Sequence, residues 1–352
     1  MGAPRHRFLI GTYTKAGSQG IYACDIDADT GELGGPALAA AAPNPTFLAL
    51  SPDQGLVYAV CAGPSWASSF RIDRATGTLV PVQLGGPISG PTPCHIAVDA
   101  TGTVAVAANY HLALAAAIPT GRNGALGAPR VVAHTGRGSH PTRQDSAHVH
   151  SANFSPDGRF VIVCDLGLDR IYSYLLDREA VALVPAAVPF VEAAPGSGPR
   201  HFAFGPRGTV GYATNELANT VVAYSYDAPT GRLTPLQTVS VLPEGYAGEA
   251  TAAEVRIHPN GRFLYASSRG PDTLAVFAID ADSGRLEPVE AVPCGGKGPR
   301  NFALSPDGAW LVCAHQDSDT LCSFRVDGAT GRLSRIAGTR SVSLPVCVAF
   351  LG

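Results

Sequence analysis

Short apolar runs, rich in β-branched and aromatic residues, recur along the whole chain. Phe160-Val161-Ile162-Val163-Cys164 is followed by Ile171-Tyr172-Ser173-Tyr174, and Phe263-Leu264-Tyr265-Ala266 by Leu274-Ala275-Val276-Phe277. Runs of this length, bounded by turn residues, predict β-strands, and no segment carries a long helical period. Two polar patterns punctuate them. The first is Ser-Pro-Asp-Gly or a relative of it, at 51–55, 99–102, 155–158, 205–208, 258–261 and 305–308. Pro presets φ and Gly supplies a positive φ, so each predicts a tight hairpin turn. The second is Asp-x-x-Thr-Gly-x-Leu or a close variant, at 27–33, 73–79, 227–233, 280–286 and 327–333, with weaker versions ending at Leu126 and Leu183.

A repeat of about 45 to 55 residues with four strand signals per unit is the signature of a β-propeller. The expected fold is all-β: a seven-bladed β-propeller of four-stranded antiparallel blades. The last segment, 345–352, reads as the first strand of a unit, whereas the chain starts at Phe8-Leu9-Ile10 with a unit's later strands. The ring is therefore expected to close with a blade shared between the N- and C-termini, which pairs otherwise open strand edges. No linker interrupts the repeat, so residues 1–352 read as one domain.

Composition narrows the function classes. Charged residues make up 15% of the 352 positions and the net charge is −3, which gives no basic stripe for nucleic acid and no patch for a membrane surface. Residues 1–7 run into the first strand without a signal-like apolar region, and no apolar run reaches spanning length, so a cytoplasmic protein is expected. The eight cysteines lack Cys-x-x-Cys spacing and mostly sit inside strand patterns, as structural thiols do.

Strand direction alternates within a blade, so the loop entering the inner strand and the loop joining the second and third strands share one face. The two repeated turns fall on the other face and read as structural. On the shared face the chain places His95, His148, His150, Arg200, His201, Glu254, Arg256 and Arg300 ahead of or at the start of inner strands. The second-to-third loops add Asn109-Tyr110-His111, Asp165-Leu166-Gly167, Asn215-Glu216-Leu217, Ser268-Arg269-Gly270 and His315-Gln316-Asp317. Guanidinium groups match carboxylate and phosphate, and imidazole is a general base with little tuning. A single rim arginine or histidine is as readily an ordinary ion-pair or hydrogen-bonding residue; the clustering shifts the reading toward a site. His148 and His150, two apart in an extended segment, point to opposite sides, so one of them faces the axis. No metal-ligand spacing and no Gly-x-Ser-x-Gly elbow occurs, and neither a metal nor a cofactor is expected.

In this order and spacing, Gly11-Thr12-Tyr13-Thr14, Ala108-Asn109-Tyr110, Arg143-Gln144, His148-Val149-His150, Asp165 to Arg170, Gly198-Pro199-Arg200-His201, Asn215-Glu216-Leu217, Glu254-Val255-Arg256 and Arg269-Gly270 make the sequence recognisable. It resembles the lactonase family of seven-bladed propellers, which spans 6-phosphogluconolactonases and muconate lactonizing enzymes, over nearly the whole chain. The resemblance implies a catalytic set at His150, Arg200, Glu216 and Arg269, with His148, His201 and Arg300 as substrate contacts. It implies hydrolysis of a sugar-acid lactone, foremost 6-phosphoglucono-1,5-lactone, with His150 taking a proton from water and Arg200 or Arg269 meeting the oxyanion. Glu216 would orient the imidazole or pass a proton to the leaving oxygen. Arg137, Arg143, Lys297 and Arg300 are candidates to hold a phosphate. The alternatives are a lactonase or cycloisomerase acting on an unphosphorylated sugar or muconate-type lactone, a calcium-dependent gluconolactonase propeller and a non-catalytic scaffold; oligomeric state is open. One departure stands out: His111-Leu112-Ala113-Leu114 occupies a place where the family usually has a Gly-rich turn.

Overall fold

The computed structural model describes residues 4–61, 67–85 and 93–352, which form seven antiparallel sheets set as blades around a central axis. Residues 1–3 of the amino-terminal stretch read above lie outside the described residues. The innermost strands are Pro45–Leu50, Pro93–Val98, Val149–Phe154, Pro199–Phe204, Thr251–Ile257, Pro299–Leu304 and Pro345–Phe350, numbered here as blades 1 to 7. Each contacts the next, and the last contacts the first. Blade 7 is the shared one: the C-terminal strand Pro345–Phe350 pairs with Arg5–Thr12, which continues to Gly20–Asp27 and Ala37–Ala41. In blade 6 the outermost position is split between Leu333–Arg335 and Arg340–Ser341, both paired to Thr320–Val326.

The two repeated turns have visible physical work. In the first, the Ser hydroxyl bonds the Asp carboxylate and accepts the amide that opens the next strand. Ser155 Oγ lies 2.6 Å from Asp157 Oδ1 and 2.9 Å from Phe160 N, and Ser51 and Ser305 repeat the arrangement. In the second, the Asp caps the turn, as Asp27 Oδ1 accepts the amides of Asp29 and Thr30. The Gly carbonyl then accepts a hydrogen bond from the neighbouring blade: Ser323 to Gly31, Ser173 to Gly231, Tyr212 to Gly284 and Tyr265 to Gly331, at 2.7–2.9 Å. A Cβ on Gly31, which has φ +75°, would collide with the Trp310 ring, so glycine is needed there for contact as well as conformation. These turns tie blade to blade.

Every inner strand carries a register shift near its start, where it has one residue more than its partner strand. Such a β-bulge re-aims a side chain. The residue left out is Thr46, Cys94, His150, Arg200, Arg300 and Val346 in blades 1 to 4, 6 and 7, and all six border one axial cavity. In blade 5, Ala253 and Glu254 face a single partner residue, Ser267. Past the bulge the strands alternate. Leu48, Ile96, Ala152, Phe202, Val255, Phe302 and Val348 are buried and belong to the clusters between blades; each large side chain there contributes about 1.5–3 kcal/mol. The cysteines are free thiols, seven buried and Cys94 partly so. No helix among the described residues is long and apolar enough to cross a membrane.

Candidate active site

The cavity at the bulged end of the inner strands holds about 300 Å³. Bulges supply His150, Arg200 and Arg300. The loops between second and third strands supply Tyr13, Tyr110, Glu216 and Arg269, and the connection from blade 2 to blade 3 supplies Arg143. Four guanidinium groups, those of Arg143, Arg200, Arg269 and Arg300, thus border it against the one carboxylate of Glu216.

Glu216 is the centre of an ion cluster. Its Oε2 accepts from Arg200 Nε at 2.8 Å and lies 3.1 Å from an Arg269 terminal nitrogen, and Oε1 accepts from Arg143. Burial alone would raise this carboxyl, but Arg269, Arg200 and Arg143 hold it well below the usual range. It is a fixed anion. Arg200 is 2% exposed; burial brings its guanidinium down to about 10 even beside Glu216, so it stays charged at neutral pH. A terminal nitrogen of Arg200 also donates to Ala253 O at 2.8 Å, and Arg269 donates to the carbonyls of Thr251 and Ala252. Each guanidinium is therefore oriented by backbone as well as by charge. Arg300 differs: among the described residues it has no ion pair or hydrogen bond, and its guanidinium lies 5.9 Å over the Tyr13 ring.

Of the two paired histidines, His150 borders the cavity. Its Nδ1 is buried without a hydrogen-bond partner, and burial followed by the charge of Arg200 keeps the ring neutral, well below the usual histidine value. His201 is also driven down, by burial and then Arg200. It accepts from Arg200 through Nε2 at 3.3 Å and donates from Nδ1 to Glu254 Oε1 at 3.1 Å, which fixes its tautomer. Glu254 accepts in turn from Val255 N and the Asn301 side-chain amide. Cys94 borders the cavity, but burial pushes its thiol up to about 12, which removes a ready thiolate nucleophile.

The structure brings together six of the seven residues named from sequence: His150, Arg200, His201, Glu216, Arg269 and Arg300. His148 sits behind the wall. It stacks on Tyr110, rings 4.2 Å apart and 4° from parallel, with Nδ1 3.1 Å from Tyr110 O, so it steadies Tyr110 instead of touching the cavity, because the extended segment turns it away from His150. Asp165 and His315, on the rim by sequence, are structural. Asp165 holds His134 and the amides of His148 and Leu168, and His315 is buried against Cys294 O and Thr320 O. Neither Arg137 nor Lys297 borders the cavity. Arg143 joins Glu216 directly because Gln144 beside it is fully buried and anchored to Leu166 O and Asp169. A glutamine within a polar loop is the only sequence signal of that anchor. Ala113 adopts φ +52°, the turn position filled in other blades by Asp169, Asn219, Asp272 and Asp319, so the departing blade 2 loop keeps the turn with a residue that pays about 1 kcal/mol for it. Among the described residues, no three His, Cys, Asp or Glu side chains are grouped to hold a metal ion.

Comparison with known proteins identifies the fold family. Residues 7–350 match the family model described as lactonase, 7-bladed β-propeller. A 6-phosphogluconolactonase of Bacillus subtilis is 37% identical over 347 residues, covering 97% of both chains. Among solved structures, a periplasmic gluconolactonase of Pseudomonas aeruginosa superposes with a TM-score of 0.92 at 32% identity, covering 99% of each chain. A putative 6-phosphogluconolactonase of Bacteroides fragilis gives 0.90 at 32%, covering 99% of this chain and 98% of that one. With seven blades in the structure and the family match spanning residues 7–350, the chain belongs to the lactonase family of seven-bladed β-propellers.

Proposed function

We propose that this protein hydrolyses a sugar-acid lactone, with 6-phosphoglucono-1,5-lactone as the substrate, through direct attack of water. The observation that carries the reading is a neutral imidazole, His150, bordering a mouth where guanidinium outnumbers carboxylate by four to one. An anionic lactone is drawn to such a mouth, and its charge offsets the arginines that depress His150, raising the basicity of the imidazole where it is used. His150 accepts a proton from water as the water oxygen adds to the lactone carbonyl. The terminal nitrogens that Arg200 and Arg269 leave unbonded then face the developing oxyanion. Collapse breaks the bond to the ring oxygen, which takes the proton back from the imidazolium, leaving a hydroxyl and a carboxylic acid that ionises to the carboxylate by releasing its proton to solvent.

Glu216 serves this scheme as a fixed anion that aligns three guanidinium groups. The proton-passing role open to it from sequence is set aside, because a carboxylate held so far below its usual range carries no proton to give. Arg300, without a carboxylate of its own, is the receptor for the phosphate. Kinship with proteins named 6-phosphogluconolactonase and gluconolactonase supports the reaction class. The test is turnover of freshly generated 6-phosphoglucono-1,5-lactone and of glucono-1,5-lactone in chelator-treated buffer, above spontaneous hydrolysis. A higher kcat/KM for the phosphorylated lactone is expected; equal or reversed preference overturns the phosphate assignment, and no turnover of either overturns the reaction.

A further inference from the structure

The axial channel has a second mouth, on the face of the Ser-Pro-Asp-Gly turns, which the reaction above does not use. Phe47, His95 and His201 form a plug between the two: Phe47 and His201 border the active-site cavity, and all three border the space beyond it. Phe47 and His95 rings lie 4.4 Å apart and His95 and His201 rings 5.5 Å apart. Beyond the plug are overlapping cavities of about 520 and 310 Å³, the size range of small-molecule sites.

The wall of this lower chamber follows from the strand period. Two residues past each plug-level position, the seven inner strands present one residue each to the axis. Five of these are Ala49, Ala97, Ala203, Ala303 and Ala349, which leave the chamber open and apolar. The other two are Asn153 and Arg256. The rim adds Leu50, Val98, Ile257, Leu304 and Phe350, with Ser305 as its polar side chain.

Arg256 is conspicuous there. Its Nε is buried without a hydrogen-bond partner, 3.5 Å from Glu254 Oε1. Glu254 is already occupied: Oε1 accepts from His201 and Val255, and Oε2 from Asn301. The guanidinium side chain is 39% exposed, and it opens into the chamber. Glu254 also borders the chamber and shares its charge with Arg256 as an ion pair, but a guanidinium without a hydrogen bond among the described residues, at the base of an alanine-walled funnel, complements an anionic head on an apolar body. A sugar acid would strand its hydroxyls against alanine and leucine, which disfavours a second copy of the substrate.

We propose that the lower chamber is a second ligand site, separate from the active-site mouth, which takes a small apolar monocarboxylate, with its carboxylate on Arg256 and Asn153 and its body against the alanine ring. The proposal does not rest on the lactonase chemistry.

The test is calorimetric titration of the full chain with benzoate, with benzyl alcohol and inorganic phosphate as comparison probes, on the wild type and on Arg256→Gln, Ala97→Leu and Arg300→Gln. Saturable benzoate binding with a Kd below about 10 mM is expected. Benzyl alcohol should bind at least tenfold more weakly, since it lacks the charge. Arg256→Gln and Ala97→Leu should each weaken benzoate at least tenfold, one by removing the cation and the other by filling the chamber, while Arg300→Gln leaves it unchanged. Ala97→Leu loads the channel wall, so the partly exposed Arg256 provides the variant that keeps the fold. No saturable binding overturns the proposal. So does loss of benzoate binding in Arg300→Gln with Arg256→Gln unaffected, which would place the probe at the active-site mouth. Phosphate competing with benzoate at Arg256 would also overturn it, by showing a general anion site.

Discussion

Replacing Glu216 with glutamine removes the charge that three arginines share and keeps the side chain's shape. The cost is set by what each arginine loses. Arg200 is buried and keeps only Ala253 O and His201 as partners. Arg143 and Arg269 have side chains 38% and 19% exposed, so water replaces part of what they lose. Breaking a buried pair costs about 3–5 kcal/mol, and with two of the three partners partly hydrated the lower end applies, about 3 kcal/mol. At about 2.1 cal/mol/K of unfolding entropy per residue, a chain of 352 residues loses about 4 °C of Tm for that. The second variant makes the reasoning specific. Adding Arg200→Met to Glu216→Gln removes the stranded buried charge, and the pair should be more stable than the sum of the single variants by about 2 kcal/mol. Differential scanning calorimetry on the four proteins closes the cycle. A Glu216→Gln shift under 1 °C, or strict additivity, refutes the claim that Glu216 exists chiefly to hold the guanidinium groups.

Three further outcomes are expected. Arg300→Gln removes a charge-assisted contact of about 1.5–3 kcal/mol, so steady-state kinetics should show KM for the phosphorylated lactone rising roughly 10- to 150-fold with kcat much less changed; an equal effect on glucono-1,5-lactone would contradict the phosphate role. His95, His150 and His201 are all held well below the ordinary histidine value, by burial first. The unfolded chain therefore binds more protons than the folded one below about pH 6.5, and stability should fall as pH drops from there toward the folded values, by up to about 1.4 kcal/mol per unit for each ring. Thermal melts between pH 7 and 4.5 check this, and His95→Asn should show a shallower slope than the wild type. Gly270 has φ +103° and a Cβ there would strike the Glu249 carbonyl, so Gly270→Ala should displace the adjacent Arg269 and lower kcat/KM, with a destabilisation of about 1–3 kcal/mol read as a Tm lower by about 1–4 °C.

The fold was legible because turn chemistry repeats. Ser155-Pro156-Asp157-Gly158 and its relatives declare their hairpins through side chains that bond their own backbone, and strand alternation then assigns each loop to a face. What the sequence does not display is the bulge. His150, Arg200 and Arg300 reach the cavity because each is the residue left out of a ladder, a property of register between strands that is not written in either strand alone. Partnership is hidden for the same reason. Glu216 reads as one polar loop residue, and nothing in Asn215-Glu216-Leu217 announces that Arg143, 73 positions earlier, shares its carboxylate. His148 shows the converse, a residue of suitable chemistry and spacing whose strand parity sends it behind Tyr110.

The most direct test of the central claim is kcat/KM of His150→Gln against the wild type for 6-phosphoglucono-1,5-lactone, corrected for spontaneous hydrolysis, with Tm measured on the same samples. General-base catalysis contributes about 10²–10⁴-fold, so a loss of at least 100-fold with the fold retained is predicted. Activity within threefold of the wild type would contradict the account and remove His150 from the chemistry.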